Sequence, residues 1–355
     1  MSQVTSPRST KMQYVRLGKS GLKVSRIILG CMSYGDNLNW EPWVLPEEEA
    51  IKHIKAAYDA GINTFDTANV YSNGQSEVIL GKAIKQLELP REEIVVMTKF
   101  TGIVVRGSNP KQAVYYNLKD AEKDGYVNQG GNSRKHIFDA VRKSLDRLQL
   151  DYIDVLQCHR LDQDTPFEEM MEALHDIVKM GWVRYIGMSS CYAWQFHAMQ
   201  NYAITHNLTP FISMQNSHSL LYREEEREMF PTLKYFGVGA IPWSPLARGI
   251  LCRPWSEQTA RSETDLWLQM WRGGAPEATQ KIVARVEELS KKKGASMAQI
   301  ALAWSMAKDG VSAPIVGTTS IKNLMDLIGA LDVKLTEEEI KYLEELYVPQ
   351  PVFGH

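Results

Sequence analysis

The sequence predicts a single (β/α)8 barrel, in which eight parallel strands alternate with eight helices. Eight short apolar segments alternate along the chain with stretches whose apolar residues recur at i, i+3 and i+4. Such alternation implies a parallel sheet with right-handed crossovers. The first strand ends in GCMSYG rather than in a G-x-G-x-x-G turn, which argues against an open doubly wound sheet. The 355 residues would also suffice for two domains, but eight such units in one chain favour the barrel.

A β-hairpin precedes the barrel. Residues 14–25 alternate apolar and polar side chains about a turn at residues 18–21, and we expect this hairpin to plug the N-terminal end of the barrel. The eight barrel strands are predicted at residues 26–30, 62–66, 94–100, 152–159, 183–189, 210–216, 238–244 and 313–318.

The helices are predicted from their apolar periodicity and from their end signals. The first begins at Pro46 with an acidic first turn and ends before Gly61. Gly181 follows the fourth as a C-cap residue. The eight barrel helices are predicted at residues 46–60, 76–86, 133–148, 166–180, 193–206, 223–235, 297–308 and 321–331. Within the sixth, we expect the acidic run at residues 224–226 to be a solvated helix face.

Two long connections interrupt this rhythm. Residues 101–132 follow the third strand, and residues 246–279 follow the seventh and precede an additional helix at residues 277–292. Loops after the strands of a barrel lie at its C-terminal face, where barrel enzymes place their active sites. We therefore expect both long loops to border the site.

A last helix is predicted at residues 335–346, because Thr336 precedes three glutamates as an N-cap does. The barrel domain is accordingly expected to span residues 14–347. Residues 1–13 are then a flexible N-terminal segment, and residues 348–355 form a C-terminal tail.

Charge and cysteine content exclude several classes of protein. The 40 basic and 42 acidic residues give a net charge of −2, so no field of one sign is available to recruit nucleic acid or an anionic membrane. Four cysteines without C-x-x-C or zinc spacing indicate reduced thiols. The chain has no apolar run of about 18 residues and no apolar stretch near its start that resembles a secretory signal. We expect a cytoplasmic protein without a metal, nucleic-acid or membrane partner.

Ionisable residues close three consecutive strands. Asp66 ends the second, Lys99 the third and His159 the fourth, while Tyr71 lies five residues beyond Asp66. Each has a structural alternative, since such an Asp can cap a turn, a Lys can face solvent and a His can be satisfied in the core. On neighbouring strands of one barrel, however, they would converge on one side of the mouth, which favours a catalytic role.

These residue types suit the reduction of a carbonyl group. A phenol is a poor acid, with a reference pKa of about 10. A neighbouring ammonium stabilises the phenolate, and a carboxylate holds that ammonium in place. Asp66, Lys99 and Tyr71 would thus deliver a proton to oxygen while hydride arrives at carbon. His159 would position and polarise the oxygen.

Several motifs in order resemble the aldo-keto reductases, from about Tyr14 to Leu331. GINTFDTANVYSNGQSE, VMTKF and DYIDVLQCHRLD are similar to the segments that carry the family's catalytic Asp, Tyr, Lys and His. VRYIGMSS, SMQNSHSLL and WSPLARG resemble its cofactor-binding segments. The opening YVRLGKSGLKVSRIILGCMSYG is similar to the branch with aryl-alcohol dehydrogenases and potassium-channel β subunits. The resemblance implies that Asp66, Tyr71, Lys99 and His159 are catalytic.

The resemblance also implies NADPH, bound extended across the barrel mouth without a Rossmann fold. Ser189 and Gln215 are then expected to hold the nicotinamide carboxamide, beside Ser190, where many members carry Asn. Trp243 would stack on the nicotinamide ring, its structural alternative being a core aromatic residue. The residues expected at the pyrophosphate are Ser244, Leu246 and Arg248, whose guanidinium matches a phosphate.

The adenosine end is expected at a helix N-terminus, which favours phosphate. Here the chain departs from the family: Asn323 stands where members carry Arg or Gln, and Asp326-Leu327 where they carry Glu-Asn. Leu327 cannot hydrogen-bond adenine as Asn does. The residues expected at this end are Gly317, Thr318, Thr319 and Asn323, with Lys322 and Arg253 either pairing with a 2′-phosphate or lying solvated at the surface. We predict NADPH in preference to NADH.

Loop aromatic residues bear on the substrate. Trp40 and Trp43 follow the first strand, and Tyr115, Tyr116 and Tyr126 lie in the long third loop. If they line the mouth they favour flat, apolar carbonyl compounds; the alternative is that they only pack their loops. We expect an aromatic or hydrophobic aldehyde, less often a ketone, as the substrate.

Two other functions stay open. One is a nucleotide-binding regulatory subunit like the channel β subunits, and the other is a barrel isomerase or hydrolase that needs no nicotinamide.

Overall fold

Eight parallel strands close into a barrel, in which each strand pairs with the next along the chain. The computed structural model describes residues 10–38, 40–107, 118–257 and 276–354. The strands are β3 (Ile28–Gly30), β4 (Thr64–Asp66), β5 (Val95–Phe100), β6 (Ile153–Cys158), β7 (Val183–Ser189), β8 (Phe211–Gln215), β9 (Gly239–Ala240) and β10 (Ile315–Val316). The barrel closes because β10 pairs with β3 and the Ile315 amide donates to the carbonyl of Pro242, just beyond β9. The predicted (β/α)8 class is confirmed.

The N-terminal hairpin covers one end of this barrel, as the sequence predicts. Strands β1 (Tyr14–Arg16) and β2 (Lys23–Ser25) pair antiparallel, with Tyr14 opposite Ser25. Leu17, in the turn, is fully buried in a cluster with residues from the beginnings of the barrel strands. Gly18 allows this close approach, because a Cβ there would lie 2.5 Å from the carbonyl oxygen of Gly237.

The helices lie at or near their predicted positions. They are α1 (Glu47–Asp59), α2 (Gln75–Gln86), α3 (Leu118–Lys123), α4 (Arg134–Leu148), α5 (Phe167–Lys179), α6 (Ala193–Thr205), α7 (Met229–Phe236), α8 (Pro276–Lys293), α9 (Met297–Ala307), α10 (Ile321–Ile328) and α11 (Glu337–Glu344). As expected from the sequence, Thr336 caps α11, and its hydroxyl accepts a hydrogen bond from the amide of Glu339. Helix α3, inside the long third loop, is absent from the sequence prediction.

Two predicted elements differ in the structure. The seventh strand is regular only over Gly239–Ala240. Beyond it, the amides of Ile241 and Trp243 still donate to the carbonyls of Met214 and Asn216, while Pro242 has no amide hydrogen to donate. The acidic run is not a solvated helix face: Glu224–Glu226 is a separate 3-10 turn before α7. Its middle residue, Glu225, is buried, and Glu226 forms a bidentate ion pair with Arg223 at 2.9 and 2.7 Å.

Both chain ends are described only in part. Of the segment predicted to be flexible, residues 1–9 lie outside the described residues, whereas Met12 is buried and the carbonyl of Gln13 accepts the amide of Arg26. In the tail, Phe353 packs against Trp243, with 6.0 Å between ring centroids.

All four cysteines are free thiols. Within the described ranges, no helix has both the length and the apolar character needed to cross a bilayer.

Candidate active site

Three neighbouring strands deliver the predicted catalytic residues to one edge of the barrel. Asp66 ends β4, Lys99 is the penultimate residue of β5, and His159 directly follows β6. The parallel register places Lys99 opposite Gln157, two residues before His159. Because the carboxyl ends of parallel strands share one edge, the three side chains meet at the C-terminal mouth.

The ammonium of Lys99 organises the site. It donates hydrogen bonds to Asp66 Oδ2 at 2.6 Å, to the carbonyl of Thr67 at 2.8 Å and to the Tyr71 hydroxyl at 3.1 Å. Burial by itself lowers the pKa of Lys99, but the charge of Asp66 and the interaction with Tyr71 outweigh burial and raise that pKa above its usual value. Lys99 is therefore a buried, permanently charged donor to the phenolic oxygen.

The second oxygen of Asp66 is held by two glutamines. Gln157 Nε2 donates to Asp66 Oδ1 at 3.0 Å, and Gln215 Nε2 donates to the same oxygen at 2.8 Å. Gln215 Nε2 also lies 2.8 Å from Gln157 Oε1. Sequence reasoning missed Gln157; the one signal for it is the strand alternation that sets it two residues before His159 on the barrel interior.

His159 faces the phenol across the mouth. Its ring centroid lies 5.8 Å from that of Tyr71, with the rings at 86°. Burial, together with the positive charges of Arg160 and Lys99, holds the pKa of His159 well below its usual value. The imidazole is accordingly neutral at physiological pH, and it can donate a hydrogen bond to an oxygen without carrying a charge.

A strained turn presents Tyr71 to this centre. In the 3-10 turn Tyr71–Gly74, Ser72 and Asn73 adopt left-handed backbone conformations with φ of 47° and 51°. The Asn73 side chain compensates, because its amide donates to the carbonyl of Val105 at 3.0 Å and its oxygen accepts the Val105 amide at 2.8 Å. Strain held by specific contacts is common at functional sites.

A cleft of about 540 Å³ extends from these residues across the mouth to the beginning of α10. It is bordered by Asp66, Tyr71 and His159 and by eleven of the thirteen residues predicted to bind a cofactor. Those eleven are Ser189, Gln215, Trp243, Ser244, Leu246, Arg248, Arg253, Gly317, Thr318, Thr319 and Asn323.

Two predicted cofactor residues do not line the cleft. Ser190 is buried beside it and accepts a hydrogen bond from the Trp243 indole at 3.3 Å. Lys322 is exposed on the first turn of α10. The structure thus gives Ser190 a place in orienting Trp243 and sets Lys322 on the surface.

Of the aromatic residues predicted to contact substrate, some line the cleft and others do not. Trp43 lines the cleft, whereas Trp40 does not. The hydroxyl of Tyr126 accepts the Arg106 amide at 2.9 Å, and the Arg106 guanidinium lies 5.2 Å from its ring, so that Tyr126 packs the third loop. Tyr115 and Tyr116 lie outside the described residues.

The middle of the cleft has the features of a phosphate site. Ala247, Arg248 and Gly249 are successive residues with left-handed φ values of 48°, 54° and 96°. Such backbone can turn amide groups toward an anion, and the guanidinium groups of Arg248 and Arg253 border the same stretch. This donor set fits a pyrophosphate.

At the far end of the cleft, Ser320 caps α10 by accepting the amide of Asn323. Leu327 lines the cleft, as does Asp326. The carboxylate of Asp326 is engaged by the Ser296 hydroxyl at 2.6 Å and by Gln299 Nε2 at 3.0 Å. The substituted positions noted in the sequence therefore do face the region where an adenosine would lie.

Comparisons with known proteins show the family to which the chain is similar. Residues 26–348 match the model of the aldo/keto reductase family. The chain is 49% identical over 344 residues to versiconal hemiacetal acetate reductase of Aspergillus parasiticus, covering 96% of this chain and 98% of that protein. It is 51% identical over 350 residues to a protein of Schizosaccharomyces pombe assigned as an aryl-alcohol dehydrogenase, covering 96% and 97%. A protein of Saccharomyces cerevisiae with the same assignment is 44% identical over 343 residues, covering 96% and 98%.

Proposed function

The chain belongs to the aldo/keto reductase family, and from this premise we propose that it is an NADPH-dependent oxidoreductase that reduces aldehydes to alcohols. The resemblance stated from the sequence is confirmed at the level of the family and of its aryl-alcohol dehydrogenases. The proposal adds the cofactor, the substrate class and the role of each residue. It is supported above all by one observation, the contact between Lys99 and the Tyr71 hydroxyl.

Tyr71 is the general acid of this mechanism. Its hydroxyl gives a proton to the carbonyl oxygen of the substrate, and the phenolate that remains lies 3.1 Å from the Lys99 ammonium. Asp66 balances the charge of Lys99 from the opposite side at 2.6 Å. Since all three groups are preorganised in a buried site, little rearrangement is needed as charge develops on oxygen.

His159 orients the carbonyl group. A neutral imidazole that faces the phenol can donate a hydrogen bond to the carbonyl oxygen and hold it within reach of the Tyr71 proton. Because the pKa of His159 is well below its usual value, the ring does not compete with Tyr71 as the proton source.

The cleft fits NADPH in size and in donor chemistry. Ser189 and Gln215 would hold its carboxamide, Trp243 its nicotinamide ring, and Arg248 with the left-handed segment at residues 247–249 its pyrophosphate. When bound, the reduced nicotinamide supplies the hydride for the carbonyl carbon. Arg253 is the cleft-lining cation proposed to pair with the 2′-phosphate, which distinguishes NADPH from NADH.

The mouth favours a flat, largely apolar substrate. Trp43, Trp243 and Met32 line it beside Tyr71, and aromatic side chains gain by stacking on a flat ring. The names of the relatives, a hemiacetal acetate reductase and aryl-alcohol dehydrogenases, are consistent with aromatic or hydrophobic aldehydes.

The test is NADPH consumption with a panel of aromatic, aliphatic and sugar aldehydes, repeated with NADH. We expect the fastest turnover with aromatic aldehydes and NADPH. Binding of NADPH without turnover of any aldehyde would instead support a regulatory nucleotide-binding subunit, and activity that needs no nicotinamide would support an isomerase or hydrolase.

A further inference from the structure

Arg160 is a cleft-lining residue to which the mechanism above assigns no role. It directly follows His159, and its Nη1 donates to the His159 carbonyl at 2.6 Å. Its own carbonyl accepts the hydroxyl of Thr101 at 3.2 Å. These contacts fix the backbone and hold Nη1 of the guanidinium, and the side chain lines the cleft.

The Nη2 end of the guanidinium lies beside Gly354 of the C-terminal tail, close to Ser190 and Trp243 at the reacting end of the cleft. A Cβ placed on Gly354 would lie 3.7 Å from Arg160 Nη2, 3.7 Å from Ser190 Oγ and 3.5 Å from the Trp243 ring. The charge of Arg160 also acts on His159, where it helps to lower the pKa of that ring. The guanidinium is therefore beside the residues proposed to handle the carbonyl group and the nicotinamide. Arg248 and Arg253, by contrast, border the phosphate region.

Arg160, like Arg26 and Arg253, has no carboxylate partner among the residues that the structure describes. The guanidinium of Arg26 donates instead to the carbonyls of Met306, Val311 and Ser312. Other partly buried arginines do form ion pairs. Arg91 pairs with Asp154 at 2.6 Å, Arg147 with Glu77 at 2.6 Å and Arg223 with Glu226 at 2.7 Å.

The two carboxylates that line the same cleft are already engaged. Asp66 is bound by Lys99, and Asp326 by Ser296 and Gln299. Withdrawing a guanidinium from water without a counter-charge is costly, and a bound anion removes that cost.

We propose that Arg160 selects carbonyl substrates that carry an ionised oxygen, a carboxylate or a phenolate, beside the group that is reduced. The proposal rests on the proposed aldehyde reduction and specifies its substrate class further. A planar guanidinium suits an oxyanion because two parallel N–H groups match its oxygens. The aromatic walls would hold the ring of such a substrate, and Arg160 would set its orientation by charge.

The experiment compares matched aldehydes in the wild type and in Arg160→Met. The carboxylate arm uses 3- and 4-carboxybenzaldehyde against their uncharged carbamoyl analogues, and the phenolate arm uses 4-hydroxybenzaldehyde against 4-methoxybenzaldehyde at mildly alkaline pH. The readout is the ratio of kcat/KM between wild type and variant, so that the intrinsic reactivity of each aldehyde cancels. We expect the variant to lose about ten- to a hundredfold with a charged aldehyde and less than about threefold with its neutral analogue, as for the loss of a charge-assisted hydrogen bond.

Two further variants complete the design. Arg160→Lys keeps the positive charge but lacks the two parallel N–H groups of the guanidinium. Its kcat/KM with the charged aldehydes is expected to lie between those of the wild type and of Arg160→Met. Arg142→Met removes an exposed guanidinium that lies 4.9 Å from the Trp182 ring, outside the cleft. This control variant is expected to keep the wild-type kcat/KM with both the charged and the neutral aldehydes. The arm that shows the selective loss identifies the anion.

Equal losses with charged and neutral aldehydes would overturn the proposal, because Arg160 would then serve only to hold the His159 backbone. Unchanged rates in both arms would overturn it as well. Absence of NADPH oxidation with every aldehyde, charged or neutral, in the wild type would instead contradict the proposed function itself.

Discussion

Lys99 and Asp66 form an ion pair of 2.6 Å in which the two side chains are 0% and 2% exposed. A buried pair of this kind contributes little net stability, because desolvation offsets the attraction. The ion pair instead serves to position Lys99, because Asp66 holds its ammonium against the Tyr71 hydroxyl.

Breaking the ion pair is expected to destabilise the fold as well as to remove activity. Lys99→Met leaves the Asp66 charge buried without its cation, which costs about 3–5 kcal/mol of unfolding free energy. Urea denaturation measures the loss. The double variant Lys99→Met/Asp66→Asn, which removes both charges, is expected to recover part of that stability while remaining inactive. A double variant as unstable as the sum of the two single variants would contradict the pairing.

The support of Tyr71 by Asn73 is expected to matter for turnover. Asn73→Gly tolerates the left-handed backbone but loses both hydrogen bonds to Val105, so stability falls by about 1–2 kcal/mol. We expect kcat to fall about tenfold, since a small misplacement of a catalytic group is costly, with an unchanged Kd for NADPH. Asn73→Asp keeps the bond from the Val105 amide and should retain more activity. A wild-type kcat in Asn73→Gly would show that the clamp does not position Tyr71.

Cofactor preference is expected to depend on Arg253 and not on Lys322. Arg253→Ala should raise the Kd for NADPH about tenfold, the scale of one charge-assisted contact, and leave the Kd for NADH nearly unchanged. Titration by nicotinamide fluorescence gives both constants. Lys322→Ala is the matched control, because Lys322 is exposed and outside the cleft. Equal effects on both cofactors would place Arg253 away from the 2′-phosphate.

Acid sensitivity is expected to involve His136, which is buried against Phe100. Burial lowers the pKa of His136 from 6.5 to about 4. The unfolded chain therefore binds a proton between these values while the folded protein does not, so that stability is intact above pH 6.5 and is lost as pH falls toward 4. Between neutral pH and pH 5 this group accounts for a loss of about 2 kcal/mol.

Urea unfolding at neutral pH and at pH 5 tests this assignment. We expect His136→Gln to reduce the loss of unfolding free energy between neutral pH and pH 5 by about 2 kcal/mol. The control variant His206→Gln, at an exposed position, should show the same loss of unfolding free energy as the wild type. A His136→Gln profile parallel to the wild type would assign the acid sensitivity to other groups.

The barrel and the Asp66, Lys99 and His159 positions could be predicted because both depend on local pattern and strand order. Gln157 could not, because strand alternation indicates only that it faces the barrel interior and not that its amide holds Asp66. The acidic run was misassigned for a similar reason. Its partners include Tyr347, whose hydroxyl donates to Glu224 at 2.6 Å from more than 100 positions away in the chain.

Loop residues were harder still to place. Trp43 and Trp40 are equally aromatic and almost adjacent, yet only Trp43 lines the cleft, because the course of the loop and not the residue type decides which ring faces inward.

The most direct test of the account is single-turnover reduction of an aromatic aldehyde by the Tyr71→Phe variant with saturating NADPH. The variant keeps the ring and loses only the hydroxyl that contacts Lys99. We expect an unchanged Kd for NADPH and a rate lower by at least about a hundredfold, the contribution of a positioned proton donor. A single-turnover rate equal to that of the wild type would contradict the assignment of Tyr71 as the acid.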